Sequence, residues 1–249
     1  MKKNSSVKRK IKIQKFIWWF VIISLLLSIG FVITEIVLAP SAEDTALPHR
    51  RVKGDYILML AQCVLGVFAM LLPSMLRKKI RLIIPSNMLI CYTLFLYGAI
   101  FLGEVRNFYY IIPYWDTILH TFSGIMLGSL GFSFISFLNS SEHIPINLSP
   151  IFVAVFTFCF GVTLGVVWEF YEFFCDIILK TNMQKFALES GALLIGQNAL
   201  ADTMYDLVVD AIGAGAISVI GYISLTFKKG WVENLLLKFR HGNTKNDDE

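Results

Sequence analysis

The chain has 249 residues, of which 56% are hydrophobic and 16% are charged, and its mean hydropathy is +0.65. These values exclude an ordinary soluble domain, in which about a quarter of the residues are charged, and predict a polytopic membrane protein. The formal net charge of +4 does not indicate a nucleic-acid partner, because the basic residues concentrate in arms beside apolar runs, where anionic lipids attract them.

Six apolar runs are long enough to cross a bilayer, which requires about 20 residues of helix. They cover approximately 16–38, 56–76, 83–103, 116–138, 150–179 and 202–226. The predicted fold class is therefore all-α, a membrane-embedded bundle of about six transmembrane helices. The predicted domains are a basic cytoplasmic arm (1–15), a six-span transmembrane domain (16–226) and a cytoplasmic amphipathic tail (227–249), with helical spacing of apolar residues from Trp231 to Phe239.

Orientation follows from the basic residues, since lysine and arginine of short loops stay on the cytoplasmic side. The N-terminal arm, the run from Arg77 to Arg81 and the C-terminal tail are all basic. An even number of spans places these three segments on one side. Both termini are therefore predicted to be cytoplasmic.

The last three spans contain acids and one histidine at spacings of three or four residues, so that each group lies along one helix face. The groups are Asp116 with His120, Glu169 with Glu172 and Asp176, and Asp202 with Asp206 and Asp210. A carboxylate at mid-membrane costs roughly 2.5–3.5 kcal/mol, so such residues survive where they face a partner, a cavity or an ion. The predicted orientation puts all three groups in the outer half of the membrane, which favours a single site.

An imidazole with several carboxylates suits a divalent cation such as Zn, Mn, Fe or Mg. The predicted metal ligands are Asp116, His120, Glu169, Asp202 and Asp206, and Glu172 is the predicted general base. No lysine or arginine lies within these spans to neutralise the acids. A network of shared protons and a proton or cation path remain alternative interpretations of the cluster.

Single residues also have simpler structural explanations. Asp116 and Asp202 stand near predicted helix starts, where an aspartate can act as an N-cap. His120 alone is compatible with a hydrogen-bonded core histidine. The aromatic loop from Arg106 to Trp115 is typical of an interfacial belt. The loop from Lys180 to Leu200 has several polar residues and is predicted to be a lid over the site.

Small residues accompany the acids in each of the last three spans. They are Gly124 and Gly128, Gly161 and Gly165, and Ala211, Gly213 and Gly215. Such spacing lets helix backbones approach closely in membranes. We therefore expect the fourth, fifth and sixth spans to pack tightly.

Three motifs resemble a known family. They are Tyr114-Trp115-Asp116-Thr117-Ile118-Leu119-His120, Trp168-Glu169-Phe170-Tyr171-Glu172, and Asp202-Thr203-Met204-Tyr205-Asp206 followed by Ala211-Ile212-Gly213-Ala214. The pattern D-x-x-x-H, E-x-x-E and D-x-x-x-D with a trailing Gly-Ala resembles the YjdF-like bacterial inner-membrane proteins. The likeness covers the last three spans and implies a site at the five acids and the histidine of these motifs, without a particular reaction. The motif order is more distantly similar to VanZ-like proteins, from which Glu172 and Asp206 depart because an amide is usual there.

The leading hypothesis is a metal-assisted hydrolase or binder of a lipid or envelope precursor at the outer leaflet of the bacterial inner membrane. Its expected partners are membrane lipids and a lipid-linked or envelope ligand. The alternatives are a small proton- or cation-coupled transporter and a non-catalytic membrane scaffold. The oligomeric state is not determined by these patterns.

The predicted topology can be tested with reporter fusions. A fusion at Asn182 should report the outside, and a fusion at Asn243 should report the inside, because an odd number of spans separates the first from the N-terminus. Two fusions on the same side would contradict the six-span topology and the common depth of the three polar groups.

Overall fold

The computed structural model describes residues 2–39, 53–80, 82–139, 148–179, 181–188, 192–231 and 238–239. The helices are α1 Lys2–Leu38, α2 Lys53–Ile80, α3 Ser86–Leu96, α4 Phe108–Ile111, α5 Trp115–Asn139, α6 Pro150–Leu179 and α7 Gln197–Thr226. A π-helix, Tyr97–Val105, continues α3, and two short strands are β1 Leu82–Ile83 and β2 Lys238–Phe239. The all-helical class predicted from the sequence is confirmed.

Six of the described helices are long and apolar enough to cross a membrane. The candidate spans are Arg9–Leu38, Lys53–Lys79, Ser86–Val105, Trp115–Ser136, Pro150–Leu179 and Gln197–Thr226. Each matches one predicted run closely. The largest shift is in the first span, which begins at Arg9 where the prediction begins at 16, and the last span begins at Gln197, before the predicted start at Asp202.

The first three spans pack around an apolar core. Val21 and Leu25 of α1 meet Met70 of α2 and Leu96 of α3 in one cluster, and Val32, Met59 and Cys63 form a second. The outward faces remain apolar, as Leu27 and Val37 are mostly exposed. Apolar residues on both the inner and the outer face are expected of helices whose surroundings are lipid.

The third span departs from the predicted regular helix at its second half. In the π-helix the amide of Arg106 donates to the Phe101 carbonyl at 2.9 Å. Gly103 accommodates the ring of Tyr109, since a Cβ there would lie 2.4 Å from Tyr109 Cε2. Segments with π-helical bonding are rare and recur at functional sites. Apolar periodicity does not distinguish them from α-helix.

The last three spans pack backbone to backbone, as the glycine spacing predicts. A Cβ at Gly124 of α5 would lie 2.5 Å from the Asp210 carbonyl oxygen, and one at Gly213 of α7 would lie 2.7 Å from the Thr121 carbonyl oxygen. A Cβ at Gly161 of α6 would lie 2.6 Å from the Ala214 Cβ. The acids of these helices are therefore held at short range from one another.

The C-terminal segment differs from its predicted helix. Strands β1 and β2 pair antiparallel, with Leu82 opposite Phe239 and Ile83 opposite Lys238. Lys238 and Phe239, at the end of the stretch with helical spacing, thus form a strand, and 232–237 and 240–249 lie outside the described residues. The pairing puts the α2–α3 connection and the tail at one end of the bundle, as an even number of spans requires.

Adding one methyl group at the helix contact should destabilise the protein. Gly124→Ala is expected to lower the free energy of unfolding by about 1–3 kcal/mol, the usual cost of overpacking, because the new Cβ collides with backbone of α7. Thermal unfolding in detergent measures the change. Gly30→Ala is the matched control, as a Cβ there meets no atom within 4 Å. Equal melting temperatures of the two variants would contradict the close approach of α5 and α7.

Candidate metal centre

His120 lies at the centre of the polar groups, and Asp210 fixes its ring. His120 Nδ1 and Asp210 Oδ2 are 3.2 Å apart, and Ser123 Oγ donates to Asp210 Oδ1 at 2.8 Å. Asp210 is 1% exposed. A histidine that donates one ring N–H to a carboxylate offers its other nitrogen as a ligand, the arrangement found around many metal-binding histidines. Asp210, which the family pattern leaves out, is thus the closest partner of the histidine.

Gly165 of α6 creates the space for that carboxylate. A Cβ at this position would lie 2.6 Å from Asp210 Oδ2. The hydrogen bond between Asp210 of α7 and His120 of α5 therefore also needs a glycine on α6. Hydropathy alone gives no sign of this requirement.

The other ring nitrogen of His120 faces two carboxylates. Nε2 lies 3.7 Å from Asp116 Oδ1 and 3.9 Å from Asp206 Oδ2. One ligand atom from each of Asp116, His120 and Asp206 lies within 4.8 Å of the others, so the group could hold a metal ion. Ligands at about 2.1 Å from one ion lie roughly 3–4 Å apart, so small side-chain movements would close the site.

Asp206 supports this interpretation because it is 2% exposed and its Oδ2 has no hydrogen-bond partner among the described residues. A buried carboxylate oxygen without a donor is costly. A cation at this place would remove the cost. The donor set of two carboxylates and one imidazole suits a borderline divalent ion.

Lys185 provides a positive charge that the sequence interpretation did not include. Its Nζ donates to Asp116 Oδ2 at 2.5 Å and to Asp202 Oδ1 at 2.8 Å. Burial lowers the pKa of the ammonium, but Asp116 and Asp202 outweigh this and hold the pKa above its ordinary value. The last three spans contain no lysine or arginine, but Asp116 and Asp202 are still neutralised, because Lys185 comes from a loop.

The loop that carries Lys185 is anchored by Asp176 at the end of α6. Thr181 Oγ1 and the Met183 amide donate to Asp176 Oδ1 at 2.5 and 2.7 Å, and the Gln184 amide donates to Oδ2 at 3.0 Å. Lys185 itself has a φ of 46°, which is uncommon for a residue with a side chain. Asp176 thus positions the loop instead of joining the centre.

Part of the predicted lid delivers side chains to the site. Gln184 and Lys185 reach it, whereas Gln197 and Asn198 are exposed at the start of α7. Residues 189–191 lie outside the described residues.

Glu169 and Glu172 are buried on the neighbouring face of α6. Gln184 Nε2 donates to Glu169 Oε2 at 3.2 Å and to Thr203 Oγ1 at 3.0 Å. Trp168 Nε1 donates to Glu172 Oε1 at 2.9 Å. The remaining oxygens, Glu169 Oε1 and Glu172 Oε2, have no hydrogen-bond partner in the described part of the chain. Glu172 also lies within electrostatic range of Asp116 and His120.

Tyr109 and Glu104 belong to the surroundings of the site, although neither was predicted. Burial first, and then the charges of Asp116 and Glu104, raise the pKa of Tyr109 well above its ordinary value. The interfacial interpretation of the aromatic loop suits its exposed residues Tyr110 and Tyr114 but not Tyr109, which packs on Gly103. The contact needs the π-helix, so sequence spacing does not reveal it.

The N-cap explanation does not fit Asp202. Helix α7 begins at Gln197, so Asp202 lies inside it, and Gly196 occupies the N-cap position. Asp116 does lie in the first turn of α5, where its carboxylate pairs with Lys185 and faces His120. The structure therefore joins Asp116, His120 and Asp206 directly and Asp202 through Lys185, whereas Gln184 joins Glu169 to Thr203 of α7.

Fold and site together define a multi-span membrane protein with a buried acidic and histidine centre between its last three spans. The model of one protein family, described as "Predicted membrane protein (DUF2238)", matches residues 24–227. The chain belongs to this family, whose match covers the second half of the first candidate span and all of the other five.

A relative from Thermotoga maritima, described as "Uncharacterized protein", is 28% identical over 147 residues. The alignment covers 59% of this chain and 66% of the relative. No solved structure matches the chain significantly.

Removing the lysine ammonium should weaken the folded state. Lys185→Met is expected to cost about 1–3 kcal/mol in the free energy of unfolding, because Asp116 and Asp202 then lose their shared cation. Adding Asp202→Asn should restore part of the loss, a coupling that a double-mutant cycle in detergent measures. Lys53→Met, at an exposed lysine, is the control. Additive effects of the two substitutions would contradict the ion pair.

Proposed function

We propose that the protein binds a divalent metal ion at Asp116, His120 and Asp206 and uses it to hydrolyse an ester or phosphoester bond of a lipid or envelope precursor. The observation that carries this proposal is the orientation of His120. Asp210 holds Nδ1, so that Nε2 faces two carboxylates, one of them with a buried oxygen that lacks a donor among the described residues. This is the geometry of a metal-ligating histidine with its supporting carboxylate.

The charge of the centre favours a cation over a network of shared protons. Six carboxylates converge here, belonging to Asp116, Glu169, Glu172, Asp202, Asp206 and Asp210. In the described part of the chain they face one lysine and one histidine. Four of their oxygens, on Glu169, Glu172, Asp202 and Asp206, are buried without a hydrogen-bond partner in that part. A divalent ion at Asp116, His120 and Asp206 would offset part of this charge and give Asp206 Oδ2 a partner.

A bound ion would polarise the substrate oxygen and make a water molecule more acidic. Glu172 is the best placed base, because its Oε1 is held by Trp168 while its Oε2 has no donor among the described residues. Lys185 and Asp210 act as positioning residues. Lys185 orients Asp116, and Asp210 orients His120.

We further infer that the protein is YjdF-like and resides in the bacterial inner membrane with both termini cytoplasmic. Cytoplasmic termini would place the site in the outer leaflet, at the opposite end of the bundle from the paired strands β1 and β2. A substrate at that depth would come from the membrane itself or from the envelope.

Metal content tests the first half of the proposal. Purified protein should contain about one Zn or Mn ion per chain, and chelation should lower its melting temperature. At a hundredfold excess over Kd the ion should contribute about 2.7 kcal/mol. His120→Ala and the nearly isosteric Asp206→Asn should abolish the response, whereas Glu35→Gln on α1 should retain it. If the wild type and all variants melt alike with chelator and with metal, the proposal is wrong and a proton-sharing network accounts for the cluster.

Hydrolysis tests the second half. With bis(p-nitrophenyl) phosphate and p-nitrophenyl laurate as probes in micelles, the metal-loaded protein should release p-nitrophenol from one of them. Glu172→Gln should reduce the rate by about 10²–10⁴, the usual contribution of a general base, and keep its metal. Equal rates for wild type and Glu172→Gln would remove Glu172 from the mechanism.

A further inference from the structure

The first ion, at Asp116, His120 and Asp206, leaves part of the acidic centre without a counter charge. Of the six carboxylates, Lys185 offsets one and the divalent ion offsets two, so three remain in the described part of the chain. His120 also acts on Glu169, but an imidazole that ligates an ion is neutral and adds no positive charge.

Glu169 of α6 has one fixed oxygen and one oxygen without a partner. Its Oε2 accepts from Gln184 Nε2 at 3.2 Å. Its Oε1 has no hydrogen-bond partner among the described residues, although Glu169 is only 4% exposed. Burial of such an oxygen is costly, and Glu169 is not a ligand of the first ion, which therefore does not remove this cost.

Asp202 of α7 shows the same arrangement. Its Oδ1 accepts from Lys185 Nζ at 2.8 Å, whereas its Oδ2 is buried without a hydrogen-bond partner in the described part of the chain. Gln184 and Lys185 are consecutive residues, so one loop holds one oxygen of each carboxylate. Carboxylates that ligate metal ions are commonly hydrogen-bonded in this way, which orients the ligating oxygen.

The two carboxylates face each other across the contact of α6 and α7. Glu169 lies within electrostatic range of Asp202. Gln184 Nε2 also donates to Thr203 Oγ1 at 3.0 Å, which ties Glu169 to the residue that follows Asp202. Neighbouring carboxylates repel each other unless a cation or a shared proton lies between them.

A groove between α6 and α7 leaves space beside Glu169. Its volume is about 470 Å³, and its polar lining residues are Glu169, Gln184 and Thr203, while its other walls are apolar. Water in a cavity requires polar partners as well as room, and these three side chains supply them. The groove therefore has room for the water ligands of an ion at this end of the centre.

We propose that Glu169 and Asp202 bind a second, hard divalent cation such as Mg or Mn, with Glu169 Oε1 and Asp202 Oδ2 as its protein ligands and water as the others. Mg usually keeps several waters and is bound through one or two carboxylates. The all-oxygen ligand set distinguishes this site from the first, whose imidazole suits a borderline ion. Occupancy of the second site requires no hydrolysis and thus goes beyond the proposed function.

A Mn titration of the full chain tests the proposal. The protein is stripped with a chelator, dialysed in an uncharged detergent and titrated while free Mn is measured by electron paramagnetic resonance. The wild type should bind about two Mn ions per chain. The second should bind about tenfold more weakly, because it has fewer protein ligands, which corresponds to about 1.4 kcal/mol. Excess Mg should displace only the second Mn, since Mg prefers oxygen ligands to imidazole.

Nearly isosteric variants assign the second ion to its ligands. Glu169→Gln and Asp202→Asn should each lose the second Mn ion and keep the first, because neither residue is a ligand of the first ion. Glu35→Gln on α1 is the matched control and should keep both ions.

The outcomes separate this site from the first ion. Binding of a single Mn ion by the wild type overturns the second site and leaves the first ion in place. A second ion that either variant retains, that Glu35→Gln loses, or that Mg does not displace overturns its assignment to Glu169 and Asp202. Absence of any Mn binding by the wild type overturns the proposed function as well.

Discussion

The hydrogen bond between Asp210 and His120 is the interaction on which the rest of the centre depends. It fixes the imidazole so that Nε2 faces Asp116 and Asp206, and it leaves these two carboxylates available to a cation. The bond exists because three helices meet at glycines. Gly165 leaves room for the carboxylate, and Gly124 lets the backbone of α7 approach α5. In a membrane the hydrophobic effect does not drive helices together, because lipid tails are as apolar as the side chains. Such close packing is therefore a main source of helix association.

A second set of interactions closes the centre from the loop side. Asp176 organises the start of the loop, and the loop then supplies Gln184 to Glu169 and Lys185 to Asp116 and Asp202. The acids of the three predicted groups therefore differ in their surroundings. Asp176 and Asp210 position other residues, and Asp116 and Asp202 are ion-paired with Lys185. Asp202, Asp206, Glu169 and Glu172 each keep one oxygen without a donor in the described part of the chain.

The oxygens without donors among the described residues lie in two places. Those of Asp206 and Glu172 lie near His120, while that of Glu169 belongs to the groove between α6 and α7. The first three spans contribute the π-helix, in which Gly103 packs against the ring of Tyr109.

The sequence by itself determined the membrane class, the six spans and the helix faces that carry the polar residues, because hydropathy and helical periodicity are local properties. It also located Asp116 and His120 on the fourth span and Asp206 on the sixth. Only the tertiary structure decided which acid holds His120, that Lys185 neutralises Asp116 and Asp202, and that Tyr109 turns inward. Each of these depends on contacts between distant residues, such as the 90 positions that separate His120 from Asp210. Spacing within one helix does not encode such contacts.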